Sequence, residues 1–278
     1  MSENASAAFQ AFKEGEQAVW ERAATIYDAL PGTFTHHAVA PLLDAAGVRA
    51  GLRVLDVACG PGYVARGAVA RGAHVVGVDF AAAMVAEARC NVPQAVFHAG
   101  DAESLPFEAE SFDIVICAFG LLHMADPDQA MAEAFRVLKP GGQYAFSVWH
   151  GAEQAPDSYL AFVARTVQAT ANLHVPLPAT PPMFRFADPQ ECHRALRAVG
   201  FTDPHVTDFT VVWHPQTASQ LLELAEKCSV RTRLILAQQT AETRAAIAEA
   251  FLQGAQQFHN NGQLAVPWPA VVAAARKP

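Results

Sequence analysis

An α/β fold built on a mostly parallel sheet follows from three features of the chain. Continuous apolar runs, Leu52–Val57 and Phe112–Ala118 among them, mark strands buried on both faces. These runs alternate with segments of helical periodicity, the signature of successive βαβ units. The first run carries a single acid, Asp56, and turns through Gly60 and Gly62 into a helix. Such a turn brings bare backbone and a helix N-terminus up to a ligand. A carboxylate beside it is awkward for a pyrophosphate and suits a cation.

The elements follow in order. Trp20, Ala23, Ala24 and Tyr27 fall at helical spacing, predicting a helix over 5–30 that Pro31-Gly32 breaks. A second helix, 34–46, ends at Gly47. Strands at 52–57, 74–79, 95–98 and 112–118 then alternate with helices at 62–71 and 81–90. A helix over 127–138 is closed by Lys139-Pro140-Gly141-Gly142, and a fifth strand covers 143–149. Beyond it come a helix at 157–171 and a proline-rich stretch through Pro176, Pro178 and Pro182. Asp188 caps a helix ending at Gly200, and a strand covers 204–213. Helical segments at 217–259 carry Ile247, Phe251, Ala255 and Phe258 on one face; after a turn at Asn261-Gly262 a last strand covers 263–275. No repeat, low-complexity tract or linker interrupts the 278 residues, which are 52 % hydrophobic. The expectation is one domain: a helical cap over 1–47, a ligand-binding core over 48–150, and sheet completion with helical lid insertions over 151–278.

Composition narrows the partners. The net charge is −8 and the Lys and Arg residues form no block, which argues against nucleic acid and against an anionic membrane surface. No uncharged apolar run reaches the length of a membrane span. The first twenty residues lack the basic start and apolar centre of a signal peptide. Five cysteines with no CxxC pair read as reduced thiols, so the expected location is cytoplasmic. The histidines show no metal-ligand spacing, and no metal is expected. The composition is compatible with a homodimer.

In an open α/β sheet, ligands sit beyond the carboxyl ends of the strands where strand order reverses. Strand two ends in Asp79, about twenty residues after Gly60, where a carboxylate can accept from both hydroxyls of a ribose. Strand three leads into Gly100-Asp101-Ala102; an acid there can accept from an exocyclic amine, and the Ala102 N–H can donate to a ring nitrogen. Strand four runs into Phe119-Gly120-Leu121-Leu122-His123. A neutral imidazole at this place can take a proton from an acceptor hydroxyl or amine, so His123 is the candidate general base; a polar wall or a helix cap is the alternative. His36, His37 and His150 are further candidate pocket residues.

These motifs resemble the class I S-adenosylmethionine-dependent methyltransferases, in the type 11-like branch that includes quinone-biosynthesis and other small-molecule enzymes. The resemblance rests on Val54–Gly62, Gly77-Val-Asp-Phe80, Gly100–Phe107, Ser111–Val115 and Arg136–Gly142, and covers residues 20–150. It implies a three-layer Rossmann-like sandwich whose seven-stranded sheet is mostly parallel, with the last strand antiparallel. It also implies S-adenosylmethionine as cofactor. Gly60 and Gly62, with Ala58 in the same turn, would cradle its methionine part, and Asp56 would lie near its amino group. Asp79 would bind the ribose, Phe80 and Met84 the two adenine faces, and Asp101 and Ala102 the adenine edge. Phe119 and Gly120 would approach the sulfonium. Tyr27 resembles part of an N-terminal helix that closes over the cofactor, although plain core packing explains a Trp20/Tyr27 stripe equally well.

The implied reaction is methyl transfer to a small, apolar or aromatic acceptor. No Asp/Asn-Pro-Pro-Tyr follows strand four, where residues 117–120 are Cys-Ala-Phe-Gly, which disfavours amino groups of nucleic acid or protein. Met183, Phe184 and Phe186 could wall the acceptor pocket. Gly60-x-Gly62-x-x-Ala65 also fits a dinucleotide site, so an NAD(P)-dependent oxidoreductase is the rival; Asp56, the Gly100-Asp101 pair and the lack of a Tyr-x-x-x-Lys pair after strand five stand against it. A protein that binds S-adenosylmethionine without methylating is the third alternative.

Overall fold

The computed structural model describes residues 3–175, 177 and 181–278, with side chains described from residue 9; Pro176 and Pro178 of the proline-rich stretch lie outside them. The chain runs α1 (Glu3–Ala23), α2 (Gly32–Thr35), α3 (Val39–Ala45), β1 (Arg53–Val57), α4 (Tyr63–Ala70), β2 (His74–Asp79), α5 (Ala82–Asn91), β3 (Val96–Ala99) and β4 (Phe112–Ala118). It continues through α6 (Pro127–Val137), β5 (Leu138–Trp149), α7 (Tyr159–Thr170), α8 (Pro189–Val199), β6 (Thr202–Trp213), α9 (Ser219–Cys228), α10 (Val230–Ala237) and α11 (Ala241–Gly254). The short strands β7 (His259–Asn260) and β8 (Gln263–Leu264) form a hairpin before β9 (Val266–Arg276).

The seven-stranded sheet has the order β3-β2-β1-β4-β5-β9-β6. β1 through β5 pair in parallel, and β9 slots antiparallel between β5 and β6. Strand order reverses between β1 and β4, so a crevice opens beyond their carboxyl ends. The two-residue period of a strand divides the core. Val54, Ile114, Ile116 and Val272 join α3, α4 and α5 on one face. Leu55, Val115, Cys117 and Val271 join α6 and α8 on the other. A third apolar cluster, from α7, α9 and α11 with Trp213 and Trp268, packs over the carboxyl end of the sheet and contains Ile247, Phe251, Ala255 and Phe258.

Two local expectations change. The first helix ends at Ala23, with a 3₁₀ turn over Ala24–Ile26, so Tyr27 sits in a bend rather than on a continuous helix. Lys139–Gly142 is not a terminating turn but part of β5. Leu138 already pairs with Phe112, and the ladder resumes at Gln143 opposite Ile114, so the intervening residues form a bulge. Gly141 takes φ 77° there, and its N–H donates to the Lys277 carbonyl.

Candidate active site

Two connected cavities open beyond β1 and β4. The larger encloses about 1190 Å³, its mouth included. The smaller lies beside the β2 and β3 ends. Ala58, Asp79, Phe80, Gly120 and His123 line both, so the junction of the two is built from the ends of β1, β2 and β4. Ala58 and Phe119, the residues directly after β1 and β4, both hold φ 55°. Left-handed backbone at two non-glycine residues costs on the order of 1–3 kcal/mol each, and it concentrates at the mouth of the crevice. Gly120 is required there, since a Cβ would stand 2.6 Å from the Ala58 Cβ and 2.7 Å from the Cys117 Sγ.

Asp79 is buried, and both carboxylate oxygens already accept backbone bonds: Gly60 N–H at 2.8 Å and Ala81 N–H at 2.9 Å. Burial pushes its pKa up to about 6 against the pull of these bonds. The carboxylate is thereby fixed in orientation, and each oxygen retains a lone pair for a ligand hydroxyl. Gly60 (φ 51°) has no atom within 4 Å of the place a Cβ would occupy, leaving its backbone open to the larger cavity. Met84 and Tyr27 line the larger cavity as well. The Tyr27 hydroxyl stands 3.5 Å from Thr35 Oγ1, and burial pushes its pKa up to about 12.

Asp101 and Ala102 line the smaller cavity just after β3. Lys13 of α1 reaches into it and bonds Asp101 at 2.7 Å and Glu103 at 2.6 Å. Four more residues of helix α1 make contacts along the same face. Gln17 donates to the Phe80 carbonyl, and Glu21 accepts from the Ala82 and Ala83 N–H groups at the start of α5. Glu16 bonds His123, and the Trp20 ring meets the His123 ring edge-on at 4.9 Å.

Three groups of candidate residues lie outside both cavity linings. Asp56 lines neither cavity. It is fully buried behind the glycine turn, where Oδ2 accepts from Ala65 N–H at 3.0 Å and Oδ1 has no partner. Burial pushes its pKa up to about 8, so it is a neutral brace for the start of α4 rather than a wall of the ligand site. Gly62 (φ 92°) also lies outside both linings; its missing Cβ admits Val92 and Ala88 of the α5 region. Of the other histidines considered, His36 bonds the Gly32 carbonyl and His150 bonds Asp208, and neither they nor His37 line the cavities.

The rest of the larger cavity is an aromatic chamber. Phe119 stacks on Trp149 at 3.7 Å and 7°, while Phe34 and Tyr159 stack on Trp268. Met183 and Phe184 line it, but Phe186 packs into the sheet core against Phe146. Glu16, Lys13, Phe34, Trp149 and Trp268 carry no motif and escape sequence reading, because only the tertiary paths of α1, α2, β5 and β9 bring them here. Among the described residues, no group of three or more His, Cys, Asp or Glu side chains could hold a metal ion.

Residues 55–146 match a family model described as a methyltransferase domain. The chain is 38 % identical over 133 residues to a demethylmenaquinone methyltransferase of Renibacterium salmoninarum, covering 47 % of this chain and 56 % of the relative. It is 30 % identical over 171 residues to a malonyl-[acyl-carrier protein] O-methyltransferase of Erwinia billingiae, covering 56 % of this chain and 68 % of that one. The chain belongs to the S-adenosylmethionine-dependent methyltransferases. It spans about half the length of the demethylmenaquinone methyltransferases it matches. The fold also matches the YcgJ protein of Bacillus subtilis, with TM-score 0.57, 22 % identity, and coverage of 87 % of this chain and 98 % of that one. Family membership sets aside the NAD(P) oxidoreductase alternative. The residues present fit the family cofactor: an open glycine backbone, an oriented acid at the β2 end, and an acid with an adjacent N–H after β3.

Proposed function

We propose that this protein transfers the methyl group of S-adenosylmethionine to a neutral, apolar or aromatic small molecule, acting as one domain in the cytoplasm. The cofactor supplies an electrophilic methyl on a sulfonium. The smaller cavity would take the adenosine, with Asp79 on the ribose hydroxyls, Asp101 and Ala102 on the adenine edge, and Phe80 against the ring. Gly60 and Ala58 would border the methionine part. Asp79 and Glu16 give the junction a negative character that suits a cationic ligand.

The observation that carries the acceptor class is the lining of the larger cavity. Its charged members are Glu16 and Asp79, and no Lys or Arg is among its described residues. An acceptor with a carboxylate or phosphate would lose its hydration and gain no cation. A flat apolar molecule would gain contact with Phe34, Phe119, Trp149 and Trp268. A quinone like that in the name of the first relative therefore suits the chamber better than the malonyl group in the name of the second. His123, at the junction, would take the proton of an acceptor O–H or N–H, while the aromatic walls align the acceptor and exclude water.

Calorimetry with S-adenosylhomocysteine, followed by incubation of labelled S-adenosylmethionine with 1-naphthol and with 1-naphthoate, tests this reading. Binding, with label transferred to the naphthol in preference to the naphthoate, is expected. Preference for the naphthoate would refute the acceptor class, and tight cofactor binding without transfer to any acceptor in a broader neutral panel would point to a non-methylating role.

A further inference from the structure

We propose that Glu16 is a positioning residue that fixes His123 in the tautomer able to accept a proton. The inference rests on the proposed role of His123 as base.

Glu16 lies on α1, 107 residues from His123 in sequence, and its Oε2 stands 2.8 Å from His123 Nδ1. The Glu16 side chain is 3 % exposed and that of His123 21 %. A buried carboxylate can only accept. The short contact therefore places the imidazole proton on Nδ1 and leaves Nε2 bare. Nδ1 carries the only hydrogen bond the His123 ring makes among the described residues, and Nε2 is not a buried orphan. The ring lines both cavities, so the bare nitrogen belongs to the side of the ring that a ligand can reach. Trp20, four residues after Glu16 and on the same helix face, closes edge-on against the imidazole and blocks its rotation.

The proton balance is direct. Nε2 takes the acceptor proton as the acceptor oxygen or nitrogen bonds the methyl carbon, and the sulfonium leaves as neutral thioether. The imidazolium that forms then carries its charge 2.8 Å from the Glu16 carboxylate. Its proton passes to solvent when product departs. The residue that sets the tautomer comes from the N-terminal helix and not from the cofactor-binding strands.

The charged groups facing His123 are Glu16 from α1, Asp79 from the β2 end, and the Lys13–Asp101–Glu103 cluster across the smaller cavity. Only the first changes in Glu16→Gln. The test is long-range ¹H–¹⁵N correlation of the imidazoles in the full ¹⁵N-labelled chain saturated with S-adenosylhomocysteine, across pH. His123 is assigned among the 11 histidines from the spectrum of His123→Asn. The expected wild-type spectrum shows the Nδ1–H form. Glu16→Gln should move His123 toward the Nε2–H form, because the acceptor that anchors Nδ1–H loses its charge. Glu16→Asp should restore most of the Nδ1–H form. An Nε2–H tautomer in the wild type, or a Glu16→Gln spectrum unchanged in tautomer, overturns the assignment. The wild-type tautomer alone decides if Glu16→Gln does not fold. Failure of S-adenosylhomocysteine to bind would count against the proposed function, while spectra of the unliganded chain would still decide the role of Glu16.

Discussion

Replacing Asp56 with Asn should make the protein more stable at neutral pH, by an amount that grows with pH. The unfolded carboxyl ionises near 3.8, whereas burial holds the folded one up to about 8. A raised folded pKa contributes stability below the unfolded pKa and loses it as pH rises through the folded one. At pH 7 the folded chain keeps a proton that the unfolded chain has shed for roughly three pH units, a cost of about 4 kcal/mol at 1.36 kcal/mol per unit. Asn carries no such cost. Its carbonyl can still accept from Ala65 N–H, and its amide would stand in the place of Oδ1, the atom without a partner. A buried amide left unpaired costs about 1–3 kcal/mol. The net gain at pH 7 is therefore about 1–3 kcal/mol, turning into a loss of about 1–3 kcal/mol near pH 4, where the wild-type carboxyl carries almost no such cost. Urea unfolding of both proteins at several pH values between 4.5 and 8 reads the difference directly, and taking the difference removes most of the Asp79 titration. A stability difference independent of pH, or one favouring the wild type more at pH 8 than at pH 5, would refute the reasoning. S-adenosylhomocysteine affinity should change little, because Asp56 borders neither cavity; a large loss would instead support the position beside the amino group that the motif implies.

His123→Ala should lower turnover by about 10²–10⁴-fold with cofactor affinity nearly unchanged; equal turnover would remove the proton-acceptor role. Asp79→Ala should weaken S-adenosylhomocysteine binding in calorimetry and also cost about 1–3 kcal/mol of stability for each stranded N–H of Gly60 and Ala81, unless water enters. Glu21→Ala removes the acceptor for two N–H groups at the start of α5 and should cost about 0.5–2 kcal/mol, read as a lower urea midpoint.

The parts of the site legible in sequence are those read by backbone. Asp79, Gly60, Asp101 and Ala102 sit at the ends of parallel strands, and strand ends are fixed by a two-residue period and a turn, both local signals. Asp56 shows the limit of that legibility. Its position in the motif is evident, but whether it faces the ligand or the helix behind depends on the pleat and on how α4 docks. Gly62 poses the same question, since the place of its missing Cβ is closed by Val92 and Ala88 of the α5 region. The chamber was less legible still. Met183 and Phe184 reach it while Phe186 turns into the sheet core, a difference of two residues in an irregular segment with no periodicity to reveal it. Glu16 lies 107 residues from the histidine it bonds, and a lone glutamate on an amphipathic helix carries no sign of a distant partner. The bulge at Lys139–Gly142 reads as a turn because Pro and Gly there signal a chain reversal, yet the ladder with β4 carries through it.

Lys13, Glu16, Gln17, Trp20 and Glu21 fall at the i, i+3, i+4, i+7, i+8 positions of a single helical stripe, and together they touch the ends of β2 and β4, the loop after β3 and the start of α5. Eight residues of helix cover about 12 Å. Helix α1 thus acts as a gauge: its pitch sets the distance from Asp101 to His123. One residue inserted between Gln17 and Trp20 would turn everything beyond it by about 100° and carry it about 1.5 Å along the axis. Trp20 and Glu21 could then not seat together with Lys13 and Glu16. Along this stretch, sequence length is constrained more tightly than residue identity, and point substitutions should be tolerated where single-residue insertions and deletions are not.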